Sequence, residues 1–287
     1  MKKQQILLAA LAVVLIGSLY LFGNTTTPAK KTQPGAQTRE TKFDFDEFIS
    51  FSKKNLTPSQ SAYITGLENS VIRGAVKEQQ IKVYHQLAHY WKDSLNQNIP
   101  YIGYLSKAAR LENSEKSLTF AARNFFEVSR EMNVPSIKGW MTEEAEALYN
   151  SALAINPAND SAKVGLGAVI LFSGTHSPME GIKMIREVAE KDSTNMYAQF
   201  MLGYGAVISQ QWDKAIERFN KVIRHEPENA EVVLLLAETY EQKGDKANAR
   251  KWYLKAKELM LILAKKRNEK VPEEYSKALD ERINSLK

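Results

Sequence analysis

The residues best placed to do chemistry are two histidines and an aspartate at intervals of four, His85, His89 and Asp93. On a helix this spacing puts all three on one face, where two imidazoles and a carboxylate could hold a transition metal. The other two histidines lie far along the chain, and there is no His-Glu-x-x-His sequence. We therefore interpret the three residues as solvated or packed side chains and predict no metal site.

Other catalytic signatures are missing from the sequence. The chain has no cysteine, which excludes disulfides, thiolate metal sites, iron–sulfur clusters and a cysteine nucleophile. It contains no Gly-x-x-x-x-Gly-Lys-Ser/Thr phosphate loop, no dinucleotide-binding glycine pattern and no Gly-x-Ser-x-Gly elbow. We predict no catalytic residue, no cofactor and no enzyme activity.

The net charge of +6 is concentrated at the N-terminus. Residues 1–42 hold six basic residues and one acidic residue, so residues 43–287 are nearly neutral. The basic run Lys265-Lys266-Arg267 falls at the end of a predicted helix, where cations complement the helix dipole. The body of the chain therefore lacks the basic surface typical of nucleic-acid binding, and we predict no nucleic-acid partner.

Residues 6–22 form a run of 17 residues without a charged side chain, shortly after two lysines. At about 1.5 Å per residue the run would be about 25 Å long as a helix, close to the thickness of a bilayer core. No Ala-x-Ala pattern follows it, which favours an uncleaved anchor over a signal peptide. Residues 1–23 are therefore predicted to be a single-pass transmembrane helix, with a cleaved, secreted form as the alternative.

The flanks of this run suggest an orientation. Lys2 and Lys3 precede it and favour an N-terminus in the cytoplasm, so we expect the body on the periplasmic side of an inner membrane. Residues 24–42 contain Thr, Pro, Gln, Lys and Gly but no large apolar side chain. Such a segment cannot bury enough surface to order itself and is predicted to be a disordered linker.

From residue 43 onward, apolar residues recur every three or four positions, which is typical of helices. The pattern also repeats at an interval of 34 residues. Two consecutive copies contain Leu202, Gly203, Ala215 and Phe219, then Leu236, Ala237, Ala249 and Tyr253. An earlier copy begins at Leu166-Gly167. The small residues allow two helices to cross closely, and the large ones fill the space between neighbouring copies.

This period and pattern resemble the tetratricopeptide repeat, a helix–turn–helix unit. The resemblance implies an all-α fold, a right-handed solenoid of helix pairs behind the transmembrane helix. About five repeats are predicted over residues 81–263, the clearest at 160–195, 196–229 and 230–263. Residues 43–80 are predicted to form an N-terminal helical cap and residues 264–287 a C-terminal capping helix. In the second repeat, a long loop containing Pro135, Gly139 and Trp140 is expected between the two helices.

The resemblance also implies a concave groove, lined by the first helix of each pair, that binds peptides or partner helices. The groove residues are predicted to be Val164, Ala168, Leu171, Phe172, Tyr197, Phe200, Tyr204, Ile208, Leu234 and Glu238. Lysine and asparagine, which clamp a C-terminal carboxylate in some family members, are missing from these places. An apolar groove of this kind suits an extended segment or an amphipathic helix. The alternative is that Phe200 and Tyr204 pack against the next repeat or against the ends of the domain.

These features favour a non-enzymatic, membrane-tethered protein that binds a protein or peptide partner. It would act as an adaptor or as a chaperone-like assembly factor at the cell envelope. The alternative interpretation is a self-associating envelope scaffold, a homo-oligomer in which a neighbouring copy fills the groove. The sequence does not identify the partner.

Overall fold

The computed structural model describes residues 42–72, 76–174, 176–268 and 270–287, which form α-helices and short turns with no β-strand among them. In chain order the helices are α1 (Phe45–Lys53), α2 (Pro58–Ile72), α3 (Lys77–His89), α4 (Asn98–Glu112), α5 (Glu115–Glu131), α6 (Pro135–Ile155), α7 (Asp160–Ser173), α8 (Pro178–Lys191), α9 (Met196–Ile208), α10 (Trp212–His225), α11 (Ala230–Gln242), α12 (Lys246–Arg267) and α13 (Glu273–Ser285). A π-helical turn, Tyr90–Ser94, continues α3.

The predicted membrane anchor, residues 1–23, and the linker as far as residue 41 lie outside the described residues. Within the described part of the chain, no helix combines the length and the hydropathy needed to span a bilayer. Residues 42–287 make up one compact unit, and the following description concerns that unit.

Helices α3 to α12 are arranged as consecutive pairs. The most extensive contacts in the chain join α3 to α4, α5 to α6, α7 to α8, α9 to α10 and α11 to α12. Short connections make the two helices of a pair antiparallel. The second helix of each pair also packs against the first helix of the next pair, which stacks the pairs in sequence order. The prediction of an all-α solenoid of helix pairs is therefore confirmed.

The turn between pairs is built in the same way three times. Asn159, Asn195 and Asn229 each precede the first helix of a pair and accept a hydrogen bond from a backbone N–H three residues ahead, at 3.0–3.2 Å. The backbone N–H of each asparagine also donates to the carbonyl three residues behind it. Asparagine is a favoured N-cap because its side chain satisfies an otherwise free N–H of the first turn. The shared turn explains why α7, α9 and α11 start at intervals of 36 and 34 residues.

Small residues mark the points where the helices of a pair cross. A Cβ atom on Gly167 would lie 2.7 Å from the carbonyl oxygen of Gly181, and one on Gly203 would lie 2.6 Å from the ring of Phe219. Both distances are well below the 3.4 Å at which ordinary contact begins. Glycine is thus required at both positions because α7 approaches α8, and α9 approaches α10, so closely.

The prediction of a long loop between α5 and α6 is wrong. Helix α6 begins at Pro135 and includes Gly139 and Trp140. Proline suits the first turn of a helix because it has no N–H to leave unpaired there. The extra turns present Trp140 to the N-terminal residues: Phe45 stacks on its ring, with centroids 5.6 Å and planes 16° apart, and Phe43 lies 4.6 Å away. The insertion thus forms the platform on which the start of α1 packs.

Helix α13 covers the C-terminal end of the solenoid. It contributes to an apolar cluster whose buried members are Ala237, Ala249, Tyr253, Leu279, Ile283 and Leu286. Ionic contacts support this packing, because the Nζ atom of Lys257 donates to Asp280 and Nε of Arg282 donates to Glu241 at 2.7 Å. Helix α13 is therefore attached to α11 and α12 by both kinds of contact.

Candidate protein-binding site

The two histidines that could share a metal are each engaged by a carboxylate. Nε2 of His85 lies 2.7 Å from Oε1 of Glu112, and Nδ1 of His89 lies 3.2 Å from Oδ2 of Asp93. Across the part of the chain that the structure describes, no three potential metal-ligating side chains come together. The two rings therefore have separate partners.

The first helices of successive pairs surround a concave interior. Arg130 on α5 donates to Glu231 on α11 at 2.7 Å, although α7 and α9 lie between these two helices in the order of stacking. Such a contact requires the row of first helices to curve strongly. The predicted groove residues all belong to α7, α9 and α11, so this curvature decides which of them reach solvent.

Four of the predicted groove residues belong to the core. Val164 and Ala168 have no exposed surface, and Leu171 and Phe200 keep 5% and 8% of theirs. The structure corrects the prediction that these four line an open groove. Val164 and Ala168 on this face of α7 are small, and both α5 and α9 pack against α7. Phe200 packs inside its own helix pair, since its ring lies 6.3 Å from that of Phe219 on α10.

Tyr197 shows how this closure occurs. The guanidinium of Arg123 on α5 lies 5.1 Å from the centroid of the Tyr197 ring on α9. The Tyr197 hydroxyl is buried and has no hydrogen-bond partner among the described residues. Burial, the largest effect, together with the negative charge of Glu127, raises the pKa of Tyr197. Tyr197 is thus a half-buried contact between helices and lines a pocket of about 420 Å³.

The structure brings Phe172 and Tyr204, two of the predicted groove residues, together. Their ring centroids are 4.7 Å apart, and both residues line a second pocket of about 420 Å³. Arg130, which the sequence analysis missed, lies 5.9 Å above the Tyr204 ring and pairs with Glu127 and Glu231. Burial alone would lower the pKa of Arg130, but the hydrogen bond from its guanidinium to Glu231 and the nearby carboxylates outweigh this effect and raise it. The positive charge of Arg130 in this pocket is therefore already neutralised by Glu127 and Glu231.

A larger cleft opens between α11 and α13, with the end of α9 beside it. We call it the C-terminal cleft; it has a volume of about 670 Å³ and contains the predicted groove residues Leu234 and Glu238. Its remaining lining residues are Val207, Trp212, Leu235, Thr239, Glu241, Gln242, Tyr253, Tyr275, Ala278, Leu279 and Arg282. Ile208, half exposed at the end of α9, adjoins Val207. Sequence reasoning missed the α13 residues, because a single capping helix has no repeated pattern to show which face it presents.

Tyr275 is the most exposed large apolar residue of the C-terminal cleft, with 49% of its surface accessible. A second apolar cavity of about 580 Å³ lies on its other side and shares Leu234, Tyr275 and Leu279 with the cleft. Apolar surface therefore continues past Tyr275 along both sides of α13. Continuous exposed apolar surface of this kind is typical of sites that bind another protein.

Glu238 is the one predicted groove residue with a charge. Its side chain is exposed and makes no hydrogen bond or ion pair with any described residue. Desolvation in the concavity, followed by repulsion from Glu241, raises the pKa of Glu238, and Arg282 partly offsets both. The nearby Glu241, by contrast, accepts hydrogen bonds from the Tyr253 hydroxyl at 2.8 Å and from Arg282 at 2.7 Å.

A family model described as tetratricopeptide repeat matches residues 200–259. The matched region runs from α9 into α12, where the repeated residues are most alike. The match covers part of a helical solenoid of stacked helix pairs, which is the class of fold that the structure shows. No curated protein matches the sequence.

The chain is similar to solved structures of other proteins. PilW, described as a type IV pilus biogenesis factor, is 15% identical, with 72% of this chain and 85% of PilW covered at a TM-score of 0.53. MamA of Desulfovibrio magneticus RS-1, from its residue 41 onward, is 19% identical over 63% of this chain and 95% of that one, with a TM-score of 0.45. YrrB, described as a TPR protein with an unusual peptide-binding site, is 20% identical over 71% and 97%, with a TM-score of 0.40. At such identities the likeness to PilW concerns the fold alone.

Proposed function

We propose that this chain is a non-enzymatic protein-binding module that holds an apolar segment of a partner protein in the C-terminal cleft. The observation that carries the proposal is the cleft itself, which is open, mostly apolar and about 670 Å³ in volume. Side chains from five helices, α9 to α13, line it, and half-exposed Tyr275 is one of them. Aromatic and aliphatic side chains around a concave surface are the usual anchors of protein recognition.

The proposal includes a place in the cell. Residues 1–23 anchor the chain in the inner membrane, and residues 24–42 link the anchor to a solenoid that faces the periplasm. The support is the uncharged run of residues 6–22 and the lysines before it. In this arrangement the protein acts as an adaptor or as a chaperone-like assembly factor at the envelope.

Photo-crosslinking in the native cell tests the proposal. A photoreactive phenylalanine derivative replaces Tyr275 in the cleft, and in a control it replaces Phe51, an aromatic residue of α1 that is 61% exposed. We expect one or a few discrete adducts specific to position 275, identified by mass spectrometry. The same adducts from both positions, or none from position 275, would refute the proposal.

One observation favours the alternative of a self-associating scaffold. Leu254 and Leu261 lie seven residues apart on α12, and each is about half exposed. Residues with this spacing share one face of a helix and can form a seam with a second copy. Light scattering over a range of concentrations separates the two functions, because the scaffold requires a mass that rises with concentration and falls back in a Leu261→Glu variant.

A further inference from the structure

We infer that the C-terminal cleft selects partner segments that carry a lysine or arginine about one helical turn from a large apolar residue, with the cation pairing to Glu238. The inference rests on the proposed function and specifies the chemistry of its partner. It depends on the charges of the cleft, the arrangement of α11 and the composition of the rest of the chain.

The cleft carries one negative charge that nothing in it neutralises. Its ionisable members are Glu238, Glu241 and Arg282, apart from the tyrosines. Arg282 and the Tyr253 hydroxyl both donate to Glu241, so that carboxylate is satisfied. Glu238 has no such partner among the described residues. A cation brought by a ligand would therefore find one free carboxylate.

The surroundings of Glu238 make a cationic ligand favourable. The carboxylate is partly desolvated by the concavity and repelled by Glu241, which is why its pKa is raised. An ion pair formed in such a place is less screened than one on an open surface. A basic group therefore gains more here than at the carboxylate of Glu217, which lies on α10 and does not line the cleft.

The arrangement of α11 specifies the spacing within the ligand. Leu234 and Glu238 are four residues apart and thus neighbours on one face of α11. Leu234 lies beside Tyr275 and Leu279, where a large apolar side chain would be buried. A partner helix lying along α11 would then place its apolar residue and its cation three or four positions apart.

Within residues 1–42, a lysine or arginine lies one helical turn from a large apolar residue only at the start, where Lys2 and Lys3 precede Ile6 and Leu7. In the proposed function these residues belong to the membrane anchor, so they are not available to the cleft. Residues 24–42 contain lysines and an arginine but no large apolar side chain. The matching ligand is therefore a segment of another protein.

The test is selection from a phage-displayed library of helical peptides about 18 residues long, long enough to form helix in isolation. Wild-type protein, Glu238→Lys and a cleft-blocked Ala278→Trp variant are used as bait, and circular dichroism checks that each is folded. Ala278 is exposed on α13, so the tryptophan fills the cleft without entering the core. The matched control for charge is Glu217→Lys, which reverses an exposed glutamate on α10 that has no hydrogen-bond or ion-pair partner among the described residues.

We expect wild type and Glu217→Lys to enrich peptides with lysine or arginine next to a large apolar residue. Glu238→Lys should instead enrich aspartate or glutamate at that place, and Ala278→Trp should enrich neither. Binding of a selected peptide should weaken about three- to tenfold in Glu238→Gln, as expected for a partly desolvated ion pair.

The remaining outcomes separate the two proposals. Enrichment of apolar peptides without charge preference by both wild type and Glu238→Lys would overturn the inference and leave the proposed function standing. Equal enrichment by wild type and Ala278→Trp would overturn both. A concentration-dependent mass that Ala278→Trp abolishes would assign the cleft to a second copy and also overturn the inference.

Discussion

The tight crossing of α7 and α8 predicts that one chemical change, Gly to Ala, has opposite effects at two helical positions. At Gly66 in α2, a Cβ atom would meet nothing within 4 Å. At Gly167 in α7, a Cβ atom would lie 2.7 Å from the Gly181 carbonyl oxygen and 2.7 Å from Cγ1 of Ile185. Both glycines lie inside helices and neither has a positive φ, so the difference between them is packing.

The magnitudes follow from these distances. Replacing glycine by alanine inside a helix gains about 0.5–1 kcal/mol of stability from the lower backbone entropy of the unfolded chain, and Gly66→Ala should show this gain. At Gly167 the helices would have to separate by about 0.7 Å to restore a 3.4 Å contact. A gap of that size forfeits a quarter to a half of the dispersion energy across the interface. With overpacking costs of about 1–3 kcal/mol, we expect a net loss of about 1–2 kcal/mol for Gly167→Ala.

Urea unfolding followed by far-UV circular dichroism measures both variants. The difference between them should be about 2 kcal/mol, or about 4–8 °C in Tm for a folded unit of this size. Gly66→Ala serves as the control, because it contains the same change in propensity without the contact. Stabilisation by Gly167→Ala to the same extent as by Gly66→Ala would refute the argument that α7 and α8 touch backbone to backbone.

Three further changes test other parts of the solenoid. The backbone φ of Gln210 is 56°, a left-handed conformation that is strained for any residue except glycine. Gln210→Gly should therefore raise the free energy of unfolding, measured by urea titration, by about 0.5–1 kcal/mol. A lower free energy of unfolding would show that the Gln210 side chain contributes more than the strain costs. Arg130→Met removes the ion pair between α5 and Glu231 and should lower the free energy of unfolding by about 1 kcal/mol, and by less at high salt. A loss that does not depend on salt would mean that packing, not charge, holds these helices together. Hydrogen bonds from Asn248 lower the pKa of the N-cap Asp245 below 3.8. Its carboxylate therefore stabilises the fold above that pH, and the contribution is lost as the pH falls through the folded-state pKa. Asp245→Asn should flatten the acid limb of the stability–pH curve, and an unchanged limb would contradict this assignment.

The repeated residues predicted the fold well because each describes a local contact. Gly203 and Phe219 are 16 residues apart in the sequence, and each meets the other helix of its own pair. The spacing that brings them together is therefore visible in one copy and repeated in the next. The prediction that Pro135 lies in a loop is wrong because proline, which ends many helices, is also favoured in the first turn of a helix. Here it occupies the first turn of α6.

The candidate site was less predictable, because it depends on curvature. Periodicity shows that Val164 and Ala168 share a face of α7, and that face is directed to the concave side. Whether such a face is open depends on how closely α5 and α9 approach across it, and that distance results from small differences in rotation accumulated over several pairs. The small side chains of α7 allow the approach, so the residues that looked accessible are buried. Leu234 and Glu238 stay accessible because α13, rather than another full pair, follows them.

The curvature of the solenoid and the candidate binding site meet on one helix. Glu231, Leu234 and Glu238 occupy successive turns of α11: the first pairs with Arg130 on α5, and the other two line the C-terminal cleft. The ion pair with α5 therefore positions the helix that forms one wall of the cleft, while the contacts of Arg282 and Leu279 position α13, which forms the other. The width of the cleft thus depends on two features: the curvature of the row of first helices, which positions α11, and the attachment of the capping helix α13. A ligand that pushes the two walls apart has to work against both, so a partner that fits the existing width is favoured over one that requires the solenoid to open.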